Sequence, residues 1–184
     1  MKPRVVAPRR SFASRPYSFR PLARDDLPLL ANWLRTPEVV RWWGEPEREL
    51  ALIEEDLDAA EMAQWIVSCE NVAFAYAQAF EVHAWPQPHL AHLPSGAMAV
   101  DAFIGEPGMI GRGHGARFLR LLAERLIGAG APLVVIDPDA DNHRARRAYR
   151  KAGFRGDALV DTDAGPVVLM VFDRRPAFPA KPFA

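Results

Sequence analysis

Three alternating glycines, Gly111, Gly113 and Gly115, head an apolar helical repeat in IGRGHGARFLRLLAERL, Ile110 to Leu126. Ahead of them runs a strand-like segment, Ala97 to Gly105, cut off by Glu106-Pro107-Gly108. Behind the helix lies Leu133 to Ile136, a continuous apolar run closed at Pro138. Such a run marks a strand buried on both faces, as in a parallel pair. Two phosphate fingerprints fit the glycines. Gly111, Gly113 and Ala116 read as G-x-G-x-x-A, and Gly113 with Gly115 reads as a shorter G-x-G arch. A dinucleotide site needs its first glycine at a strand end, an acid about 20 residues beyond, and several more βα units. Asp137 supplies the acid. The Glu-Pro-Gly break removes the tight turn, however, and only one further helix follows. What remains is either a plain glycine-rich turn before an ordinary helix or an arch in which backbone N–H groups of Arg112 to Ala116, His114 included, meet a pyrophosphate at a helix N-terminus.

The rest of the chain reads in the same way. Tyr17 to Leu22 is strand-like. A helix opens at Asp25-Asp26, carries Leu27, Leu30, Ala31 and Leu34 at helical spacing, and ends near Thr36-Pro37. A second is expected from Pro46 to about Glu61. The period then changes: Ala63 to Cys69 and Val72 to Val82 form a hairpin about Glu70-Asn71. His83 to Pro94 is a loop, and its histidines His83, His89 and His92 match no metal-ligand spacing. Asp141 or Asn142 caps a last helix closed by Gly153, and strands near Asp157 to Asp161 and Val167 to Phe172 follow. Residues 1–16, basic and without period, are expected to be a flexible tail, and deleting residues 1–15 is expected to leave the melting temperature nearly unchanged. Residues 17–174 form one domain, and 175–184 a C-terminal tail.

With 184 residues, 49% of them hydrophobic, the chain can bury a sizeable core in one domain. No apolar run reaches the roughly 18 to 20 residues a membrane helix needs, and Ala13 to Arg20 is too polar for an export signal. A cytoplasmic protein is expected, with Cys69 a buried small hydrophobe. Zero net charge hides an asymmetry. Lys2, Arg4, Arg9, Arg10, Arg15 and Arg20 precede the first acid, so the body is acidic. Between Glu38 and Glu61 nine acids face only Arg41 and Arg48. A field of that sign concentrates cationic partners; nothing outside the tail suggests nucleic-acid binding.

Together, the IGRGHGARFLRLLAERL loop and helix, the strand PLVVIDPD and the helix DNHRARRAYRKAGF resemble the GCN5-related N-acetyltransferases. The likeness covers Tyr17 to about Arg174. Arg41-Trp42-Trp43-Gly44-Glu45, Tyr76-Ala77-Gln78, Val100 to Gly105 and Gly165-Pro166 are most similar to the aminoglycoside 6'-N-acetyltransferase branch. The resemblance implies a mixed, mostly antiparallel α/β sheet of about seven strands with about four flanking helices. Its fourth and fifth strands, Ala97 to Gly105 and Leu133 to Asp137, would splay apart. Acetyl-coenzyme A would lie in the gap, its pantetheine arm bonded to Ala102, Phe103 and Ile104 like an added strand, with Asn142 touching the arm and Gly111 to Ala116 holding the pyrophosphate.

Acetylation needs a neutral amine, yet an alkylamine has a pKa of about 10, so a proton acceptor helps. Asp101, an acid inside an apolar strand and matching the branch's aspartate, is the expected acceptor. Tyr149 is the expected proton donor to the departing thiolate, and Trp42, Trp43, Glu45, Asp161 and Asp163 the expected substrate contacts. At the last turn Ala164 stands where the branch has an aspartate, and Asp163 lies one residue earlier. The expected partner is a small cationic amine, an aminoglycoside first of all, and the protein a monomer or homodimer without a metal. Two alternatives are N-acylation of a small amine in siderophore assembly and a non-catalytic coenzyme-binding module.

Overall fold

Glu70 and Asn71 both adopt left-handed backbone conformations, φ 50° and 68°, which is what a two-residue hairpin turn demands. They join β3 (Met62–Cys69) to β4 (Val72–Glu81), the antiparallel pair at the centre of the fold. The computed structural model describes residues 11–14 and 16–174. One eight-stranded sheet runs through it in the order β1-β2-β3-β4-β5-β6-β8-β7. The remaining strands are β1 (Phe12–Ser14), β2 (Tyr17–Pro21), β5 (Met98–Ile104), β6 (Val134–Ile136), β7 (Phe154–Thr162) and β8 (Gly165–Phe172). All neighbours are antiparallel except β5 and β6, which are parallel as the apolar run at Leu133 to Ile136 implied.

Eight strands replace the expected seven because Phe12–Ser14 pairs with β2. The sequence there is basic and unpatterned, but Phe12 has apolar surface to cover. Its ring stacks on Phe19 at 4.2 Å, meets Trp65 edge-on, and lies under the Arg125 guanidinium at 5.4 Å. The expected tail therefore includes a strand; residues 1–10, 15 and 175–184 lie outside the described residues.

Among the described residues there are five helices, against about four expected. Thr36 closes α1 (Leu27–Leu34) by donating its hydroxyl to the Trp33 carbonyl. Pro37 then starts α2 (Pro37–Trp43) instead of merely ending its predecessor, since a proline at the first position loses no helical hydrogen bond. Gly44, at φ 108°, turns the chain into α3 (Pro46–Glu55). That helix stops at Glu55, short of the expected Glu61, and tightens into a 3-10 turn over Asp56–Asp58. α4 (His114–Gly128) and α5 (His143–Ala152) complete the set.

Strand alternation divides these helices between two faces. Met98 and Val100 of β5 join the core under α4, with Ala102 and Ile104 packed against it. Phe103 belongs to the α1–α3 side, with Leu30, Trp33, Val39, Ile53 and Tyr76. A bulge adds one adjustment: the β3–β4 register skips Phe74, whose ring packs beside Phe118 at 5.8 Å and His114 at 5.5 Å. Cys69 is buried, as its apolar setting implied, and burial raises its thiol pKa. Among the described residues no helix is long and apolar enough to cross a membrane.

Candidate active site

β5 bonds to β4 along its whole length, from Glu81↔Met98 to Ala75↔Ile104. On its other side it meets β6 only at Met98↔Val134 and Ala99↔Val135. From Val100 onward, that edge has no strand beside it, so a row of peptide donors and acceptors borders a gap. The gap widens into a cleft of about 710 Å³. Asp101 to Ile104 form one wall, the end of β6 and Asp137-Pro138-Asp139 another, and Asn142, Ala145, Ala148 and Tyr149 of the α5 segment a third.

The glycine arch closes one end. Gly111 and Gly113 hold φ of 79° and 83°, and an added Cβ at either would meet open space. Glycine is thus required there by conformation, not by crowding. Gly113 is also the N-cap of α4 and has no side chain to satisfy the first-turn N–H groups, which leaves them for an external anion. Gly115 and Ala116 line the cleft, while Arg112 and the His114 ring do not. Instead, His114 Nδ1 pairs with the Tyr17 hydroxyl at 2.8 Å, between the rings of Tyr17 and Phe74. Burial, then Arg117 and Arg112, lower its pKa. The imidazole is therefore an anchor for the arch.

Asp101 sits opposite Gln78 in the β4–β5 ladder, and Gln78 Nε2 donates to Asp101 Oδ2 at 2.9 Å. Gln78 Oε1 in turn accepts from the Tyr76 hydroxyl at 2.6 Å. Burial, and then the Asp137 carboxylate, raise the Asp101 pKa to about 7, against the pull of Gln78. Asp137 is raised as well, by burial first, while a 2.6 Å contact from His89 Nε2 holds it down. Asp101, with a second carboxylate in the same cleft, is suited to take up a proton near neutral pH. Tyr149 has its phenol pKa pushed far up by burial and by both carboxylates. It stays protonated, and so is a donor.

A second bay of about 650 Å³ meets the cleft at Trp43, Glu49, Gln78 and Asp101. Glu55, Asp56 and Asp58 add to its acidity, and no lysine, arginine or histidine lines it among the described residues. Burial raises Glu49 and Asp56. Trp43 packs edge-on against Phe103 at 4.8 Å and Tyr76 at 5.8 Å, which fixes its exposed side as part of both cavities. Trp42 lines the cleft under Arg41, 4.9 Å from its ring. Across the cleft mouth, Arg144 of α5 pairs with Glu38 of α2 at 2.6 Å.

Comparison with known proteins decides the family. The model of the acetyltransferase (GNAT) domain matches residues 23–162. The chain belongs to the GNAT acetyltransferases. It is 29% identical over 170 residues to aminoglycoside N(6')-acetyltransferase type 1 of Klebsiella pneumoniae, spanning 86% of this chain and 83% of that one. A crystal structure of aminoglycoside acetyltransferase AAC(6')-Ib with coenzyme A and kanamycin superposes with a TM-score of 0.76. It is 26% identical, covering 86% of this chain and 95% of that one. An uncharacterized protein of Bacillus halodurans shares the fold, with a TM-score of 0.81 at 16% identity over 94% and 92% of the two chains.

As an acetyltransferase, the chain brings together Asp101, Tyr149, the β5 edge, Asn142, most of the arch and both tryptophans. Three expected substrate contacts fall elsewhere. Glu45 caps α3, its carboxylate accepting from the N–H groups of Glu47 and Arg48 at 3.1 and 2.8 Å. Asp161 and Asp163 belong to the β7–β8 hairpin and line neither cavity. Asn142 has a double placement: its Oδ1 caps α5 by accepting from Ala145 N–H at 3.0 Å, which leaves its amide N–H groups beside the cleft. Missed from sequence were Gln78, Asp137, Glu49 and Asp56. Asp137 carried a usable signal, since it ends a buried apolar strand just as Asp101 interrupts one.

Proposed function

We propose that this acetyltransferase transfers the acetyl group of acetyl-coenzyme A to an amine of an aminoglycoside, the 6'-amine first of all. One observation carries the reading: an unpaired β-edge with a glycine arch and a bay lined only by acids among its ionisable groups meet at Asp101. The cleft suits the coenzyme. An extended pantetheine arm can add to Val100–Ile104 as a strand would, and the open space over Gly111 and Gly113 beside uncapped N–H groups suits a pyrophosphate. When bound, acetyl-coenzyme A supplies an activated thioester acyl group.

The chain's own residues do the rest. Glu49, Asp56 and Asp101 draw a polycationic amino sugar into the bay and favour its charged amines. Asp101, paired electrostatically with Asp137, accepts a proton from the attacking ammonium, so that nitrogen presents a lone pair. Gln78 holds the Asp101 carboxylate in place. As the C–N bond forms and the C–S bond breaks, Tyr149 gives its phenolic proton to the departing sulfur and recovers one from the Asp101–Asp137 pair, which takes the nitrogen's second proton and releases it to solvent. We assign it to the cytoplasm, because its cosubstrate is an intracellular metabolite. A panel of aminoglycosides, kanamycin and tobramycin included, assayed by release of coenzyme thiol, tests the reading. Turnover of kanamycin is expected; inactivity across the panel with turnover of another amine would overturn the substrate assignment.

A further inference from the structure

The segment between β4 and β5 lines the acidic bay and touches a wall residue of the main cleft. Its Trp85 and Gln87 line the acidic bay. Four residues after Trp85, in the short 3-10 turn Pro88–Leu90, His89 reaches the end of β6 and places Nε2 2.6 Å from Asp137 Oδ2. The side chains are 8% and 17% exposed, so water competes little for this contact. The segment is fixed on both sides of it. Leu90 is fully buried, and Glu81 accepts from the N–H groups of His83, Ala84 and Gly96, which clamps the two ends together. His83 Nε2 contacts the Leu93 carbonyl at 2.8 Å.

Resting on the acetyl-transfer reading above, we propose that His89 is a positioning residue that orients the Asp137 carboxylate and ties the bay's Trp85 segment to the reaction centre. With a proton on Nε2 the imidazole donates to Asp137, which fixes one carboxylate oxygen. Charged and titratable groups lining the cleft with Asp137 include Asp101 on β5, Asp139 beyond β6, and Tyr149 with the cations Arg144, Arg147 and Lys151 on α5; β7, which carries Asp161, packs against the His89 turn. His83 and His92 lie on its own segment. Of these, Asp101 is the group whose proton affinity the Asp137 charge changes most directly. Without the imidazole donor, Asp137 binds a proton more readily, so the carboxylate pair takes up its first proton at a higher pH.

The experiment compares wild type, His89→Gln and His89→Leu in the full chain. In histidine-labelled wild type, NMR should show a downfield, slowly exchanging imidazole Hε2 resonance, absent from His89→Leu and from Asp137→Ala. For kanamycin, His89→Leu should lower kcat roughly tenfold or more, the scale of a lost hydrogen bond to a charged group. Its acidic limb should move up by about half a pH unit or more, with the Kd of acetyl-coenzyme A unchanged. His89→Gln, which keeps an N–H donor, should recover part of both. Absence of the resonance in wild type, or a His89→Leu enzyme with wild-type kcat and pH profile, overturns the proposal. A resonance present in a protein that acetylates no aminoglycoside would sink the substrate reading and leave the His89–Asp137 tie standing.

Discussion

Gln78 and Asp101 face each other across the β4–β5 ladder, joined by a 2.9 Å hydrogen bond from the Gln78 amide. The contact costs Asp101 some of its raised proton affinity, yet the balance of burial and Asp137 still leaves it near 7.

That balance has a kinetic signature. The log of kcat/KM should rise with pH to a limb near 7 and then flatten, because only the ionised carboxylate accepts the proton. Asp101→Asn should lower kcat roughly 100-fold or more with acetyl-coenzyme A affinity kept. A variant with unchanged turnover would remove Asp101 from the reaction.

The same shift works on stability with a definite sign. An acid whose folded-state pKa lies above its unfolded value binds more protons when folded, so stability falls as pH rises from about 4 to about 7. Asp101→Asn should therefore melt higher than wild type at pH 8, and the gain should vanish below pH 4. Melting curves by circular dichroism at the two pH values check it.

Gly115 separates ligand space from folding. A Cβ there would touch only Ile104 Cδ1 at 3.7 Å, an ordinary contact. Gly115→Val should fold with a near-native melting temperature and lose acetyl-coenzyme A binding by calorimetry. Gly113→Val should lose both, since φ of 83° is strained for any β-branched residue.

The substrate acids can be sorted by neutralising them singly. Glu49→Gln should raise the KM for kanamycin by roughly three- to tenfold, with kcat nearly unchanged. Asp161→Asn and Asp163→Asn should leave both constants as they are, while Glu45→Ala should lower the melting temperature through loss of the α3 cap. Equal KM effects at Asp163 and Glu49 would contradict the cavity geometry.

Deleting residues 1–15 should lower the melting temperature. Losing the Phe12 contacts with Phe19 and Trp65 removes about 1–2 kcal/mol, or roughly 3–6 °C for a chain of this size. Phe12→Ala should reproduce most of the loss; a full-length melting curve after deletion would show that the edge strand adds nothing.

Local chemistry was the legible part of the sequence. Glycines at positive φ, a two-residue turn at Glu70-Asn71 and an acid in an apolar strand each leave a mark within a few residues. Pairings set by the folded chain leave none: His89 and Asp137 lie 48 positions apart, and no periodicity links them. Acids on α3 look alike in sequence, and only the packing of Ile53 inward turns Glu49 toward the bay. Glu45 was hard to read, since glutamate is not among the usual capping residues; only the helix-starting proline after it was a signal. Pro37 was misread because a proline that ends one helix can also begin the next.

The half-open edge of β5 also makes the protein's endurance a property of its surroundings. Whatever fills Val100–Ile104 binds only the folded chain, so occupancy adds to the unfolding free energy by mass action, about 2.7 kcal/mol at a hundredfold excess over Kd. The enzyme's resistance to heat and proteases thus follows the supply of its acyl donor, and a falling supply lowers the unfolding free energy while the site is still almost full.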